Sequence, residues 1–344
     1  MPKRPMNYTI NNIILGFFLI LFLLSCDSRS IEKTISFYHW KSKAVFPESY
    51  NNAIQKSSTN KIYMHFFDVV SAKESSWEND GVFPTYVLKS VSSEYQKFDI
   101  VPVVYITNKV FKTNNLDIEN LSERIGMLIN QISMKQFGRE INHIQIDCDW
   151  TSSTKFAYFE FLRHLDKSFE IDVTIRLHQI KYQEKTGVPP VSSGTLMLYN
   201  VGDLKNQNQN STLESEIVEN YIYDYTEYPR PLNLALPLFS QTVVTNNRNE
   251  IKLINTAERE MLENDSHFRK IDNINFKVVK DTLYRGFFLY EGYNLKLEEI
   301  SVDEILASYR IIEESNLNVN EIIFYHLHED AILGDELTRI IDDL

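Results

Sequence analysis

Cysteine is almost missing from this sequence: Cys26 and Cys148 are the two in 344 residues. With Cys26 spoken for by the N-terminal segment, Cys148 has no partner and no disulfide can form within the body of the chain. Proline and glycine are also sparse, ten of each. No Pro/Gly/Ser-rich linker divides the chain, and the polar stretch LKNQNQNSTLESE from Leu204 reads as a local loop. Basic side chains are outnumbered, 35 against 47 acidic, for a formal charge of −12. That balance argues against a nucleic-acid partner, whose phosphates require a basic face. After residue 26 no apolar run is long enough to span a bilayer, and no internal repeat recurs at a fixed period.

What is present begins at the N-terminus. Lys3 and Arg4 precede an uncharged apolar run from Ile13 to Leu24, which is shorter than the roughly 20 residues of a spanning helix. That order reads as a signal peptide over residues 1–25; an uncut signal anchor is the alternative. Leu23-Leu24-Ser25-Cys26 resembles the lipobox of bacterial lipoproteins. The resemblance implies cleavage before Cys26, lipidation there with palmitate among the acyl chains, and a short tether over 26–33. The body would then be anchored to a membrane of the bacterial cell envelope, facing the periplasm or the surface, with each buried methylene contributing about 0.8 kcal/mol.

Eight short runs rich in β-branched and aromatic residues follow: TISFYHW (34–40), IYMHFFDVV (62–70), DIVPVVYIT (99–107), HIQIDCD (143–149), IDVTIRLH (171–178), TLMLYNV (195–201), LNLALPLF (232–239) and EIIFYHLH (321–328). Between them lie helical patterns such as NLSERIGMLINQISMKQF and VDEILASYRIIEESN. Alternating β and α units predict an α/β fold with a parallel sheet, and eight of them predict a (β/α)8 TIM barrel over 34–344. The stretch from about 242 to 300 is too long for one connection. It reads as an insertion between strand 7 and its helix, with a second small domain as the alternative, and INFKVVKDTLYRGFFLYEG within it alternates like a hairpin.

In such a barrel the carboxyl ends of the strands form the mouth, where active sites lie. Strand 4 delivers Asp147 and Asp149, two residues apart and so expected on one face, with Cys148 turned toward the helices. Thr151 or Ser153 is expected to cap the next helix. Asp68 ends strand 2, and Glu329 follows strand 8. Arg176 and His178 share a face of strand 5, and Trp40, Tyr105, Tyr199 and His326 stand at other strand ends. Asp147 paired with Arg176 would serve equally as a structural ion pair. The aromatics would serve equally as packing, and His178 as a satisfied histidine. His326 and His328 with Asp68 make a weak metal set, so no metal and no cofactor is expected.

IQIDCDWT resembles the fourth strand of chitinase-like glycoside hydrolase barrels, whose pattern is D-x-x-D-x-D-x-E. Asp147 and Asp149 match its second and third aspartates; Ile144 replaces the first, and Thr151 replaces the catalytic glutamate. FYHWKS, FFDV, IVPVVYITN, TIRLHQIKYQEKTGVPPVSSGTLMLYNVG and YPRPLNLALPLFS together resemble a family of uncharacterised bacterial lipoproteins associated with such barrels.

The resemblance implies a membrane-anchored barrel that acts on or recognises a glycan. If it is an enzyme, the reaction is hydrolysis of a glycosidic bond. The alternative is a catalytically silent glycan- or protein-binding barrel of the envelope. The catalytic candidates are Asp149, Asp147, Asp68 and Glu329, with Asp149 as the principal acid/base. Arg176, His178, Tyr199, Trp40, Tyr105 and His326 are the substrate-binding candidates, and the chain is expected to be a monomer. Retaining glycosidases hold their carboxyls about 5–5.5 Å apart and inverting ones about 6.5–9.5 Å apart, whereas alternate residues of one strand stand roughly 6.6–6.8 Å apart. Acid and base must flank the scissile bond, so a carboxylate from a second strand is required.

Overall fold

The computed structural model describes residues 33–72, 81–223, 226–328 and 331–344. The signal peptide, Cys26 and Glu329 lie outside the described residues. Eight parallel strands run in sequence order: β1 (Thr34–His39), β2 (Lys61–Ser71), β3 (Asp99–Ile106), β4 (His143–Asp147), β5 (Glu170–Arg176), β6 (Ser193–Met197), β7 (Leu232–Pro237) and β8 (Val319–Tyr325). Each pairs with the next, and β1 pairs with both β8 and β2, which closes the barrel.

Alternation along the strands sorts the side chains. Ile144, Ile146 and Cys148 turn outward into the main core, where they join apolar faces of the surrounding helices. The longest helix among the described residues, Ile118–Phe137, buries Leu121, Ile125, Ile129 and Ile132, a spacing of three to four residues. Asp117 caps its first turn by accepting from the Asn120 amide, and Gly138 ends it at φ +66°. Inward residues are largely polar and stack in layers. At the base, Glu321 accepts from Ser36, from Lys61 at 2.9 Å and from the Tyr63 hydroxyl at 3.0 Å. In the middle, Asp172 accepts from Thr195 at 2.6 Å, while Tyr38 donates to Gln145 Oε1 at 2.7 Å. These bonds satisfy groups that burial would otherwise make costly.

The connection from β2 to β3 differs from the others among the described residues. Among the described residues no α-helix links β2 to β3; the chain instead forms the antiparallel strand Val82–Thr85 against the end of β2 and a 3₁₀ turn, Ser93–Lys97. Pro84 and its β-branched neighbours suit an edge strand and not a helix.

Between β7 and the helix Val302–Glu313 the chain builds a five-stranded antiparallel sheet, ordered Ile251–Ile254, Gln241–Thr245, Asn294–Glu298, Asn275–Val278, Phe268–Lys270. This sheet has its own small core around Phe276, Leu295 and Leu297. The hairpin expected over residues 274–292 is confined to Thr282–Tyr284 and Phe287–Leu289; Asn275–Val278 pairs instead with the sheet. A buried ion pair, Lys296 with Glu298 at 2.8 Å, ties the insertion to the loop after β6. Glu298 accepts from Thr212 at 2.8 Å and from the Ser211 amide at 2.9 Å, and Lys296 donates to the carbonyls of Asn206 and Gln209. Burial pushes the Glu298 pKa up, but the bonds from Lys296, Ser211 and Gln241 outweigh it and hold the carboxyl below its usual value.

Candidate functional site

The top inward layer sits at the carboxyl ends of the strands. Asp147 is the last residue of β4 and is 9% exposed. Thr174 Oγ1 on β5 donates to its Oδ1 at 2.7 Å. Burial above all, with the nearby charge of Asp149, pushes the Asp147 pKa up to about 6; Thr174 and Arg176 work in the other direction.

Asp149 lies past the strand end with its side chain 47% exposed. Arg176 Nε and Nη2 donate to its two oxygens at 2.7 and 3.0 Å, and Arg176 Nη1 donates to the Tyr199 carbonyl at 3.2 Å. This corrects the expected Asp147–Arg176 pair: the guanidinium grips the later aspartate, in the fork geometry that suits arginine and carboxylate. Burial opposes the charge on Arg176, but Asp149 and Asp147 hold its pKa above the usual arginine value.

Asp68 reaches the same layer because β2 bulges. Three residues apart on a regular strand, His65 and Asp68 would face opposite sides. The register slips between His65 and Phe67, so both Phe66 and Phe67 turn into the outer core while His65 and Asp68 both turn inward. His65 Nε2 and Asp68 Oδ1 are then 2.7 Å apart. Asp68, Tyr105 and Asp147 share one register row across β2, β3 and β4. Burial and the surrounding aspartates push the Tyr105 phenol above its usual pKa, and burial with Asp147 and Asp68 does the same to Tyr325.

Aromatic rings complete the mouth. Tyr325 stacks on Tyr199 with centroids 4.7 Å apart, Trp40 packs on His65 at 4.8 Å, and Trp40 lies 5.6 Å from Tyr325. Beside them opens a cleft of about 260 Å³, lined by Trp40, Asn200, Phe239, Tyr325, His326 and His328 from the barrel and by Leu253 and Asn255 from the insertion. A recess of about 40 Å³ borders Arg176, His178 and Tyr199. Asp68, Asp147 and Asp149 line neither hollow; the charges of all three act on the Tyr105 phenol, and those of Asp147 and Asp68 on the Tyr325 phenol.

The structure brings together Asp68, Asp147, Asp149, Arg176, Tyr105, Tyr199 and Trp40. Others stand at the edge of this group or beyond it. His178 is not on β5, which ends at Arg176; it is the second residue of a short helix, Leu177–Lys181, is exposed, and borders the small recess with Arg176 and Tyr199. His326 follows Tyr325 through a cis peptide bond and lines the cleft, and burial lowers its pKa to about 3. His39 is buried on the outer face against Tyr95. The expected capping by Thr151 or Ser153 is replaced: Thr154 precedes the helix Lys155–Leu165, accepts from the Thr151 amide at 3.0 Å and donates to Asn108 Oδ1 at 2.6 Å. Among the described residues no cluster of three His, Cys, Asp or Glu side chains could hold a metal, so His326, His328 and Asp68 do not form a metal site.

His65, Thr174 and Tyr325 are additions that the residue pattern alone left out. Parity along the strands points to two of them: Thr174 alternates with Arg176, and Tyr325 with Ile323.

The chain matches no protein-family model and no curated protein. Solved structures do resemble it. The spore cortex-lytic enzyme SleL of Bacillus cereus aligns with a TM-score of 0.50 at 13% identity, over 90% of this chain and 74% of that one. Chitinase ChiA74 of Bacillus thuringiensis aligns at 0.47 and 8% over 90% and 69%, and a GH113 β-1,4-mannanase at 0.41 and 10% over 90% and 97%. The fold shared with the first of these is the closed (β/α)8 barrel. At such identities the likeness is one of fold, and the chemistry rests on the residues at the mouth.

Proposed function

We propose that this chain acts on a glycan at the carboxyl-end mouth of its barrel, with Asp147 as the proton donor for cleavage of a glycosidic bond. One observation carries the reading. The Asp147 carboxyl, with its pKa pushed up to about 6, keeps its proton to a far higher pH than an ordinary aspartate and sits beside stacked aromatic rings, which suits a general acid working at mildly acidic pH. Asp149, the principal acid in the strand-pattern reading, is a poor donor because both its oxygens accept from Arg176. Trp40, Tyr325 and Phe239 supply apolar faces against which sugar rings can stack, and Asn200 and Asn255 supply amides for hydroxyl groups. The fold shared with a cortex-lytic enzyme supports the substrate class.

The N-terminal segment, on this reading, directs lipidation of Cys26, whose acyl chains hold the barrel to a membrane of the cell envelope as a monomer. Cys26→Ser should release the chain from the membrane fraction; a variant that stays behind contradicts the anchor.

A silent glycan-binding barrel is the second reading, favoured by Thr151 in the place of the catalytic glutamate and by the Arg176 grip on Asp149. Asp147→Asn separates the two. Retained binding to chitin or β-1,4-mannan with hydrolysis lost supports the enzyme, whereas wild-type protein that binds and never cleaves supports the silent barrel.

A further inference from the structure

An acid needs a second group to receive or activate the nucleophile, and the strand that carries Asp147 offers none. Asp149 is held by Arg176, and Thr151 is a hydroxyl bonded to Ser153. Another carboxylate of the top inward layer is Asp68, which the β2 bulge turns into the barrel. We propose that Asp68, aimed by His65, is the base that activates water opposite Asp147, so that the glycosidic bond is cleaved in a single displacement with inversion at the anomeric carbon. The proposal rests on the glycan-acting reading above and adds the second catalytic residue, a positioning residue and the stereochemical course.

The spacing supports it. Asp68 and Asp147 occupy one register row with Tyr105 between them. Neighbouring strands stand about 4.8 Å apart, so the two Cα atoms are roughly 9.6 Å apart. Side chains pointing into a barrel converge, so the carboxyls stand closer than their Cα atoms, and the proposal requires a separation of about 6.5–9.5 Å, which leaves room for a water molecule. His65 is 4% exposed and packed against Trp40, and its Nε2 lies 2.7 Å from Oδ1 of Asp68. In the proposal Oδ2, the oxygen that His65 does not engage, takes the proton.

The step balances without a co-reactant. Oδ2 of Asp68 takes a proton from water as the water oxygen bonds to the anomeric carbon. The bond from that carbon to the glycosidic oxygen breaks, and Asp147 gives its proton to the leaving oxygen. One water is consumed, and the two carboxyls return to their starting states by exchanging a proton with solvent. His65 touches no substrate; it fixes which oxygen of Asp68 faces the water.

The test uses the detergent-solubilised full chain with chitohexaose and β-1,4-mannohexaose, following the anomer of the first product by proton NMR. Inverted product, loss of roughly 100-fold or more in kcat for Asp68→Asn, and partial recovery in His65→Gln of what His65→Ala loses in kcat at unchanged KM would support the proposal. Retained configuration, or an Asp68→Asn variant with wild-type kcat, overturns it while leaving the glycan reading intact. Failure to cleave either probe overturns both. A substrate-free measurement stands beside these: the Asp147 carboxyl midpoint, followed by carbon NMR, should fall in Asp68→Asn because the Asp68 charge helps to raise it. An unmoved midpoint means that the two carboxyls do not face each other, and the mechanism fails.

Discussion

Arg176 closes a two-pronged ion pair on Asp149 and leaves Asp147, two residues earlier, to the single hydroxyl of Thr174. One strand end thus carries two carboxyls in different electrostatic company, one tied to a fixed cation and one mostly buried. Arg176 still lowers the Asp147 pKa from a distance. Arg176→Met should therefore move the Asp147 midpoint above about 6, read by carboxyl carbon NMR. A midpoint that falls would mean that the arginine does not act on Asp147 as described.

Asp147 is also a source of instability with a definite sign. Its folded pKa of about 6 lies above the ordinary value of 3.8, so the folded chain binds more protons than the unfolded one between those limits. Stability contributed by the protonated form is complete below about pH 4 and is lost as pH rises through about 6. Asp147→Asn keeps an acceptor for Thr174 and removes the titration. It should raise unfolding stability at pH 7 by up to about 3 kcal/mol, at about 1.4 kcal/mol per pKa unit. The gain should vanish near pH 4. Denaturant titrations at the two pH values check this, and equal gains at both would contradict it.

The ion pair on the Asn294–Glu298 strand of the insertion is fully buried on both sides. Lys296→Met leaves Glu298 charged without its cation and frees the carbonyls of Asn206 and Gln209. A cost of about 3–5 kcal/mol is expected, together with protease cleavage within residues 204–210 that the wild type resists. Wild-type stability and an uncut loop would show that the pair is dispensable.

Trp40 touches both halves of the site, packing on His65 and reaching Tyr325 across the cleft mouth. Trp40→Ala should weaken retention on a glycan column by about tenfold, near 1.4 kcal/mol. It should also lower kcat, since His65 loses its packing partner. Unchanged retention would place the sugar elsewhere.

The barrel itself was readable because each of its strands is a short β-branched run, and all eight runs coincide with barrel strands. Strand parity placed Tyr105, Tyr199 and Asp147 at the mouth correctly. It failed where the backbone departs from regularity. Asp68 does stand at the mouth, as its place at the end of strand 2 suggested, but it faces inward only because of the extra residue at Phe66/Phe67, which no residue preference in that aromatic run announces. Leu177 starts a helix one residue after Arg176, so His178 leaves the strand on which alternation had set it. The partner of Arg176 was misjudged because a side chain that long reaches past the strand end, where residue spacing gives no guide.

The clamp at Glu298 has a bearing on how a ligand would arrive. Leu253 and Asn255 form one bank of the cleft, and the sheet that holds them is stitched through Gln241, Ser211 and Thr212 to the loop after β6. The bank cannot swing like a door without tearing that polar knot. Association should then follow one exponential whose rate grows in proportion to ligand concentration, with no plateau from a closing motion, and little ordering entropy should be lost when the complex forms.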